Sequence, residues 1–458
     1  MRYLFLSLTL ILGILFACND DPQIIIEDAP IIDSTMIDPP QYSVPLSNIP
    51  DIDDMVMYEV NLRALSSGGD LAGVTARLDE IKSLGVNVVW LMPIYPIGKI
   101  KSVNSPYSVQ NYREVNPEFG SLEDLRTLVA EAHSRDMAVI LDWVANHTAW
   151  DNPWIENTEW YTQNSSGEIV IPAGTNWQDV ADLNFNNQDM RLAMIRAMKY
   201  WILNSNIDGF RCDAADFVPK SFWSQAIDSL EMVPNRSIIM LAEGARNDHF
   251  DSGFQMNYSW DFYANLKSVY NGQTAIKLSN SNISEYASIP EGKQKLRFTT
   301  NHDESAWDAT PINLFGGQSG ALSAFVISTY MSGVPLIYGT QEVGVSSTVP
   351  FFSKTTINWS QNPSTYSAYQ TLMSIYTESS ALRSRALEIY SDSDILAFSK
   401  SDVDEQFLVF VNTRNSQQQM DVPANFQNSI WTNRFDDSST NIDSILDLAP
   451  YAFLILSR

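Results

Sequence analysis

From Met55 onward the chain alternates short, continuous apolar runs with longer stretches of helical spacing. Met57–Val60, Val86–Leu91, Ala138–Val144, Gly209–Asp213, Ile238–Ala242, Leu296–Thr300 and Leu336–Tyr338 predict strands. Leu71–Leu84, Ser121–Arg135, Met190–Leu203 and Lys220–Leu230 predict helices, the second opened by Ser121 with Asp124 three residues on, a capping pattern. Strands apolar on both faces and alternating with helices imply a parallel sheet. So many units in one chain favour a closed α/β (β/α)8 TIM barrel, placed over residues 51–385. The connection between Val144 and Met190 is rich in Trp, Asn and Gly, and loops that long inside a compact domain are usually functional. After about Arg385 the alternation stops. Phe407–Val411 and Ala452–Leu456 are strand-like, with Asn, Asp and Ser between them, which predicts a small antiparallel β-sandwich domain over 386–458.

The first residues carry a different pattern. Arg2 precedes an apolar run from Leu4 to Ala17, too short to span a bilayer and of the length of a signal-peptide core. The run ends Leu15-Phe16-Ala17-Cys18, which resembles a bacterial lipobox, in which the cysteine becomes the lipidated N-terminus. An ordinary signal peptide with a chance cysteine is the alternative. Residues 1–18 are therefore expected to be a lipoprotein signal peptide, with membrane attachment through Cys18. Residues 19–50 hold no Lys or Arg and are punctuated by six prolines, which predicts an extended acidic tether. The Ile24-Ile25-Ile26 run is alternatively a strand docked on the body. Asn19-Asp20-Asp21 resembles the acidic export signal of some surface lipoproteins, so the expected place is a bacterial cell envelope, at the outer membrane and facing outward.

Charge and cysteine usage narrow the chemistry. The formal net charge is -26, and such a surface repels phosphate backbones, so no nucleic-acid partner is expected. Lipidation of Cys18 would leave Cys212 alone, so no structural disulfide is expected and Cys212 reads as a small buried apolar residue. Four histidines in the whole chain make a zinc cluster improbable.

Active sites of such barrels lie at the C-terminal ends of the strands. The polar residues there are Asp142, Asn146 and His147 after one strand, Arg211 and Asp213 on the next, then Glu243, then His302 and Asp303. Three carboxylates on separate strand ends suit glycoside hydrolysis, which needs one carboxylate as nucleophile or base and another as acid. Arg211 and Asp213 are two apart on one strand, so their side chains share a face.

These residues resemble the α-amylase superfamily, glycoside hydrolase family thirteen. The resemblance lies in ordered motifs: Asp142-Trp-Val-Ala-Asn146-His147, Gly209-Phe-Arg211-Cys-Asp213-Ala, Glu243-Gly244 and Phe298-Thr-Thr-Asn301-His302-Asp303. Supporting segments are Gly85–Pro93, Ser105-Pro-Tyr107 with Asn111-Tyr112, Asp182-Leu-Asn184 and Gly333–Gly339. The resemblance implies a retaining hydrolase of α-1,4-glucosidic bonds acting on starch-like glucans or maltooligosaccharides. It implies Asp213 as nucleophile, Glu243 as general acid and base, and Asp303 as the residue that grips sugar hydroxyls in the transition state. It assigns Arg211 to keeping Asp213 ionised, His147 and His302 to sugar hydroxyls, Tyr107 to stacking and Asp142 to structural support. It implies that the insertion over about 146–187 is a small domain B over the cleft. Its Trp150, Trp154, Trp160 and Trp177 are sugar platforms or core, with core expected for at least half.

Two departures bear on what carries over. Many relatives hold a structural Ca²⁺ between barrel and domain B, and Asn146 and Asp182 fall where two oxygen ligands are expected. The second motif commonly ends in Lys-His, which contact sugar beyond the scissile bond; this chain has Asp216-Phe217. Transglycosylation or α-glucosidase action on short maltooligosaccharides shares the mechanism. A non-catalytic glycan-binding protein is the reading from a different class, and retention of Asp213, Glu243 and Asp303 argues against it.

Overall fold

A computed structural model describes residues 38–458. Eight parallel strands close into a barrel: β1 (Met57–Val60), β2 (Val88–Leu91), β3 (Ala138–Val144), β6 (Gly209–Asp213), β7 (Ile239–Ala242), β8 (Met256–Tyr258), β9 (Gln294–Arg297) and β10 (Val334–Tyr338). Between β3 and β6 lie β4 (His147–Ala149) and β5 (Val180–Asp182), an antiparallel pair. Closure comes from β1, which pairs β2 on one side and β10 on the other. Every residue of β1, β2, β3, β6, β7 and β10 is buried, which accounts for their unbroken apolar runs.

Local chemistry sets the element ends. Ser121 Oγ accepts from Asp124 N and the Asp124 carboxylate accepts from Ser121 N, so the expected capping box opens the helix Leu122–His133. The helix expected over Leu71–Leu84 is two short pieces, Leu71–Thr75 and Leu78–Lys82. Gly73 and the β-branched Val74 and Thr75 weaken its middle, and Thr75 Oγ1 bonds back to Leu71 O at 2.9 Å. One barrel strand, β8, has three residues and leaves no readable run. The strand expected at Leu296–Thr300 begins two residues earlier and ends three earlier because β9 is polar, Gln-Lys-Leu-Arg. Its Arg297 is buried by pairing with Glu285 at 2.8 Å and lying 3.6 Å from the Phe262 ring centroid.

Two antiparallel sheets follow the barrel, one of six strands and one of two. Strand Ile395–Ser401 turns Ile395 and Ala397 toward the small sheet, with Met420, Trp431 and Leu446, and turns Leu396 and Phe398 toward the barrel core. The six-stranded sheet is thus covered on both faces, as the period of two along a strand requires.

The region expected to be a tether divides. Residues 38–50 lie on the barrel: Tyr42 N donates to Leu203 O at 2.8 Å, Asn206 Nδ2 donates to Val44 O at 2.9 Å, and Arg126 stacks 3.8 Å over the Tyr42 ring. Residues 38–50 are therefore not a free tether. The rest of the expected tether precedes Asp38. Those residues, with Cys18 and the Ile24–Ile26 run, fall outside the described ones. Among the described residues no helix is long and apolar enough to cross a membrane.

Candidate active site

A cleft of about 880 Å³ opens at the C-terminal ends of the strands. Its floor is built around Arg211, whose side chain is fully buried. Asp142 on β3 lies opposite Arg211 on β6 in register, which puts both on one level of the barrel. Arg211 Nη1 lies 2.7 Å from Asp142 Oδ1 and 3.0 Å from Asp213 Oδ1, and Nη2 lies 2.8 Å from Glu243 Oε1. One guanidinium therefore holds three carboxylates. Glu243 follows the last residue of β7, and its Oε2 accepts from Ala214 N at 2.7 Å. Ala214, in the left-handed conformation directly after β6, turns that amide toward Glu243.

Three buried carboxylates beside one cation disfavour one another's ionisation. Burial pushes Asp213 well above the usual carboxyl range, with Glu243 and Asp142 adding to it and Arg211 opposing it. Burial raises Glu243 as well, against Arg211 and with Asp303. The group titrates as a unit that retains a proton beyond the ordinary carboxyl range.

Asp142 is fully buried beneath this pair. Besides Arg211 it accepts from Trp90 Nε1 at 3.1 Å and from the Tyr107 hydroxyl at 3.0 Å. Tyr107 lies parallel to the His302 ring, centroids 5.3 Å apart, with its hydroxyl 2.8 Å from His302 Nε2. His302 Nδ1 hydrogen-bonds Glu59 Oε1 on β1, and Asp303 Oδ2 lies 3.4 Å from Nε2. Burial works against a charge on this ring, but Asp303 and Glu59 together raise it to about 9, so it is an imidazolium at neutral pH. Burial drives His147 down to about 4, against a hydrogen bond with the Tyr107 backbone, leaving it neutral.

The structure thus brings Asp213, Glu243, Asp303, His147, His302 and Tyr107 to the wall of one cleft, with Arg211 and Asp142 beneath them. Four further residues emerge from the fold. Glu59 is a carboxylate inside an apolar strand, and that anomaly was legible in the sequence. Trp90, Trp307 and Phe351 reach the site from separate segments, and no local spacing announces them. Of the four tryptophans of the insertion, Trp154 packs on Tyr112 and Trp160, Trp150 sits under Lys101, and Trp177 lines the cleft.

The two side chains expected to hold calcium supply only part of the oxygens the ion takes. Asn146 and Asp182 are neighbours across the β4–β5 pair, since Leu183 N donates to Asn146 O at 3.2 Å. Yet Asn146 Nδ2 faces His147 Nδ1 at 3.3 Å, and among the described residues no three His, Cys, Asp or Glu side chains form a metal-holding group. One carboxylate and one amide fall short of the six to eight oxygens calcium takes.

Comparisons with known proteins agree with this architecture. The family model of the α-amylase catalytic domain matches residues 47–168 and 157–381. The α-amylase MalA of Haloarcula japonica is 28% identical over 309 residues, covering 64% of this chain and 44% of its own length. α-Amylase 3 of Dictyoglomus thermophilum is 27% identical over 351 residues, 66% of each protein. The chain thus spans less than two thirds of either relative. The crystal structure of an α-amylase from Lactobacillus plantarum superposes with a TM-score of 0.80 at 26% identity, covering 89% of this chain and 99% of that one. With the matched segments spanning most of the chain and the barrel closed around the three carboxylates, this protein belongs to the α-amylase catalytic-domain family.

Proposed function

We propose that this protein is a retaining glycoside hydrolase that cleaves α-1,4-glucosidic bonds in starch-like glucans or maltooligosaccharides. The observation that carries it is the single buried guanidinium that holds Asp213 and Glu243 together at the mouth of the barrel. Asp213 attacks the anomeric carbon while Glu243 gives its proton to the glycosidic oxygen; the C1–O bond breaks and a glycosyl–Asp213 ester forms. Glu243, now a carboxylate, takes a proton from water, whose oxygen attacks C1 and releases Asp213. The proton retained by the group is the one the first step consumes. Asp303 offers an acceptor to sugar hydroxyls, the His302 imidazolium held by Glu59 and Tyr107 sets positive charge beside it, and neutral His147 adds a further polar contact. Tyr107, stacked on His302 and tied to Asp142, forms the apolar floor under the ring.

The test is product analysis on amylose, pullulan and maltotriose with a chain starting near Asp38. New α-anomeric products, abolished by Glu243→Gln with glucan binding retained, support the reading. Transfer of glycosyl units to added maltose would instead make it a transglycosylase or α-glucosidase. Unchanged behaviour of Glu243→Gln overturns the assignment.

We further propose that Cys18 is lipidated and holds the enzyme on the cell envelope, facing outward, so that products stay near the cell. The Leu15–Cys18 pattern and the acidic residues after it support this. Detergent-phase partitioning lost in Cys18→Ser, and protease shaving of intact cells, test the two parts separately.

A further inference from the structure

Past the end of β6 and β7 the backbone ladder between them runs out. Glu243 still follows it: its N donates to Cys212 O at 2.9 Å, and its O accepts from Ala215 N at 2.9 Å. The chain after β6 has by then turned away through left-handed Ala214, so the next amides of the Glu243 loop lose their backbone partner. A carboxylate takes its place. Asp216 Oδ2 accepts from Ala245 N at 3.1 Å and Oδ1 from Arg246 N at 3.3 Å. Arg246 returns the grip, its Nη1 donating to Asp216 O at 2.8 Å and to Val218 O at 3.3 Å. The other edge of its guanidinium is held by Asp248, from Nε at 2.9 Å and Nη2 at 2.7 Å.

The surroundings fix this arrangement. Fully buried His249 sets Nε2 3.3 Å from Asp216 Oδ1, and Gly244 packs so closely on the carboxylate and on His249 that an added Cβ would collide with both. On its far side the loop is tied to β8: Tyr258 N donates to Gly244 O at 3.1 Å and Asn257 Nδ2 to Arg246 O at 3.0 Å. Asp216 borders the cleft, yet both of its oxygens are committed to the loop. The lysine of the family pattern carries donors only and could not accept from two amides. The position that there reaches sugar here reaches the loop of Glu243.

The nucleophile and both grips on the proton donor thus come from one short segment. Asp213 is followed by Ala214, whose N donates to Glu243 Oε2 at 2.7 Å, and then by Asp216, which holds the loop behind Glu243. A double displacement requires its two carboxyl groups at a fixed short separation, about 5–5.5 Å. Proton transfer to the glycosidic oxygen depends steeply on such placement. We infer that Asp216 is a positioning residue: it locks the loop that carries Glu243 to the segment that carries Asp213, and so fixes the proton donor against the glycosidic oxygen. The inference rests on the hydrolase reading above.

The test uses phenyl and 4-nitrophenyl α-maltotriosides. Their leaving groups are similar in size, but phenoxide needs a proton to depart and 4-nitrophenoxide needs little help. On both, kcat/KM reports the first displacement, in which Glu243 acts as the acid. Asp216→Ala is expected to lower kcat/KM on the phenyl glycoside by about tenfold more than on the 4-nitrophenyl glycoside. Asp216→Asn keeps one accepting oxygen and should fall between Asp216→Ala and wild type; it also carries the test if the alanine variant does not fold, which thermal midpoints show. A side chain that touched sugar, or only supported the fold, would lower both glycosides by the same factor. Equal losses on the two glycosides, or no loss, in the folded variants overturn the latch. A wild-type protein that releases neither phenol overturns the hydrolase reading itself, and the latch with it.

Discussion

Replacing Glu59 by Gln keeps the side chain's shape and removes a buried charge facing His302. Burial and Arg211 lower the His302 pKa, whereas Asp303 and Glu59 raise it to about 9. Glu59 contributes both its charge and its hydrogen bond beside the charge of Asp303, so without it the pKa of the ring falls toward the ordinary value. A histidine with a raised folded pKa contributes stability that is fully present below pH 6.5 and is lost as pH rises through 9. A rise from about 6.5 to about 9 corresponds to about 3 kcal/mol. At an unfolding entropy of about 2 cal/mol/K per residue over about 420 residues, that is a change of about 3–4 °C in Tm. Lys400, lowered by burial to about 7, acts in the opposite sense as pH rises, but it is common to both chains and cancels in their difference. The assay is thermal unfolding of wild type and Glu59→Gln from pH 6 to 9.5. The gap between their midpoints should close across that window, by about 3–4 °C at most, since Asp303 supplies part of the shift. Parallel curves would refute the Glu59–His302 coupling.

Three other outcomes are expected. Gly209→Ala should destabilise the protein by about 3 kcal/mol or more, because an added Cβ meets the Ile239 carbonyl of β7; a urea midpoint within error of wild type would contradict this. The alkaline limb of kcat/KM should lie above the ordinary carboxyl value of about 4.3, since burial raises the Asp213–Glu243 pair; a limb at that value would mean the pair is solvated like a surface carboxylate. EDTA should leave Tm and activity unchanged, since Asn146 and Asp182 make no calcium cage; a clear drop in Tm restored by calcium would show otherwise.

Strand type, barrel class and the carboxylates of the site were legible because each depends on local pattern. Buried parallel strands must be apolar on both faces, so their runs stand out, and Asp213 and Glu243 stand out where such runs end. The failures have the same cause. β8 is too short to form a run, and β9 hides its burial behind Arg297, whose charge is matched by Glu285 on a separate helix. Glu59 stands out as a carboxylate in an apolar strand, but its role depends on His302, 243 positions away.

The sequence alone determined which groups are present at the strand ends and the order in which they come. Tertiary structure decided their ionisation and their use. The charge on His302, the proton held by the carboxylates and the grip of Asp216 on the Glu243 loop all depend on neighbours from distant segments. A side chain's pKa and exposure follow from the dielectric and charges around it, which exist only once the barrel has closed.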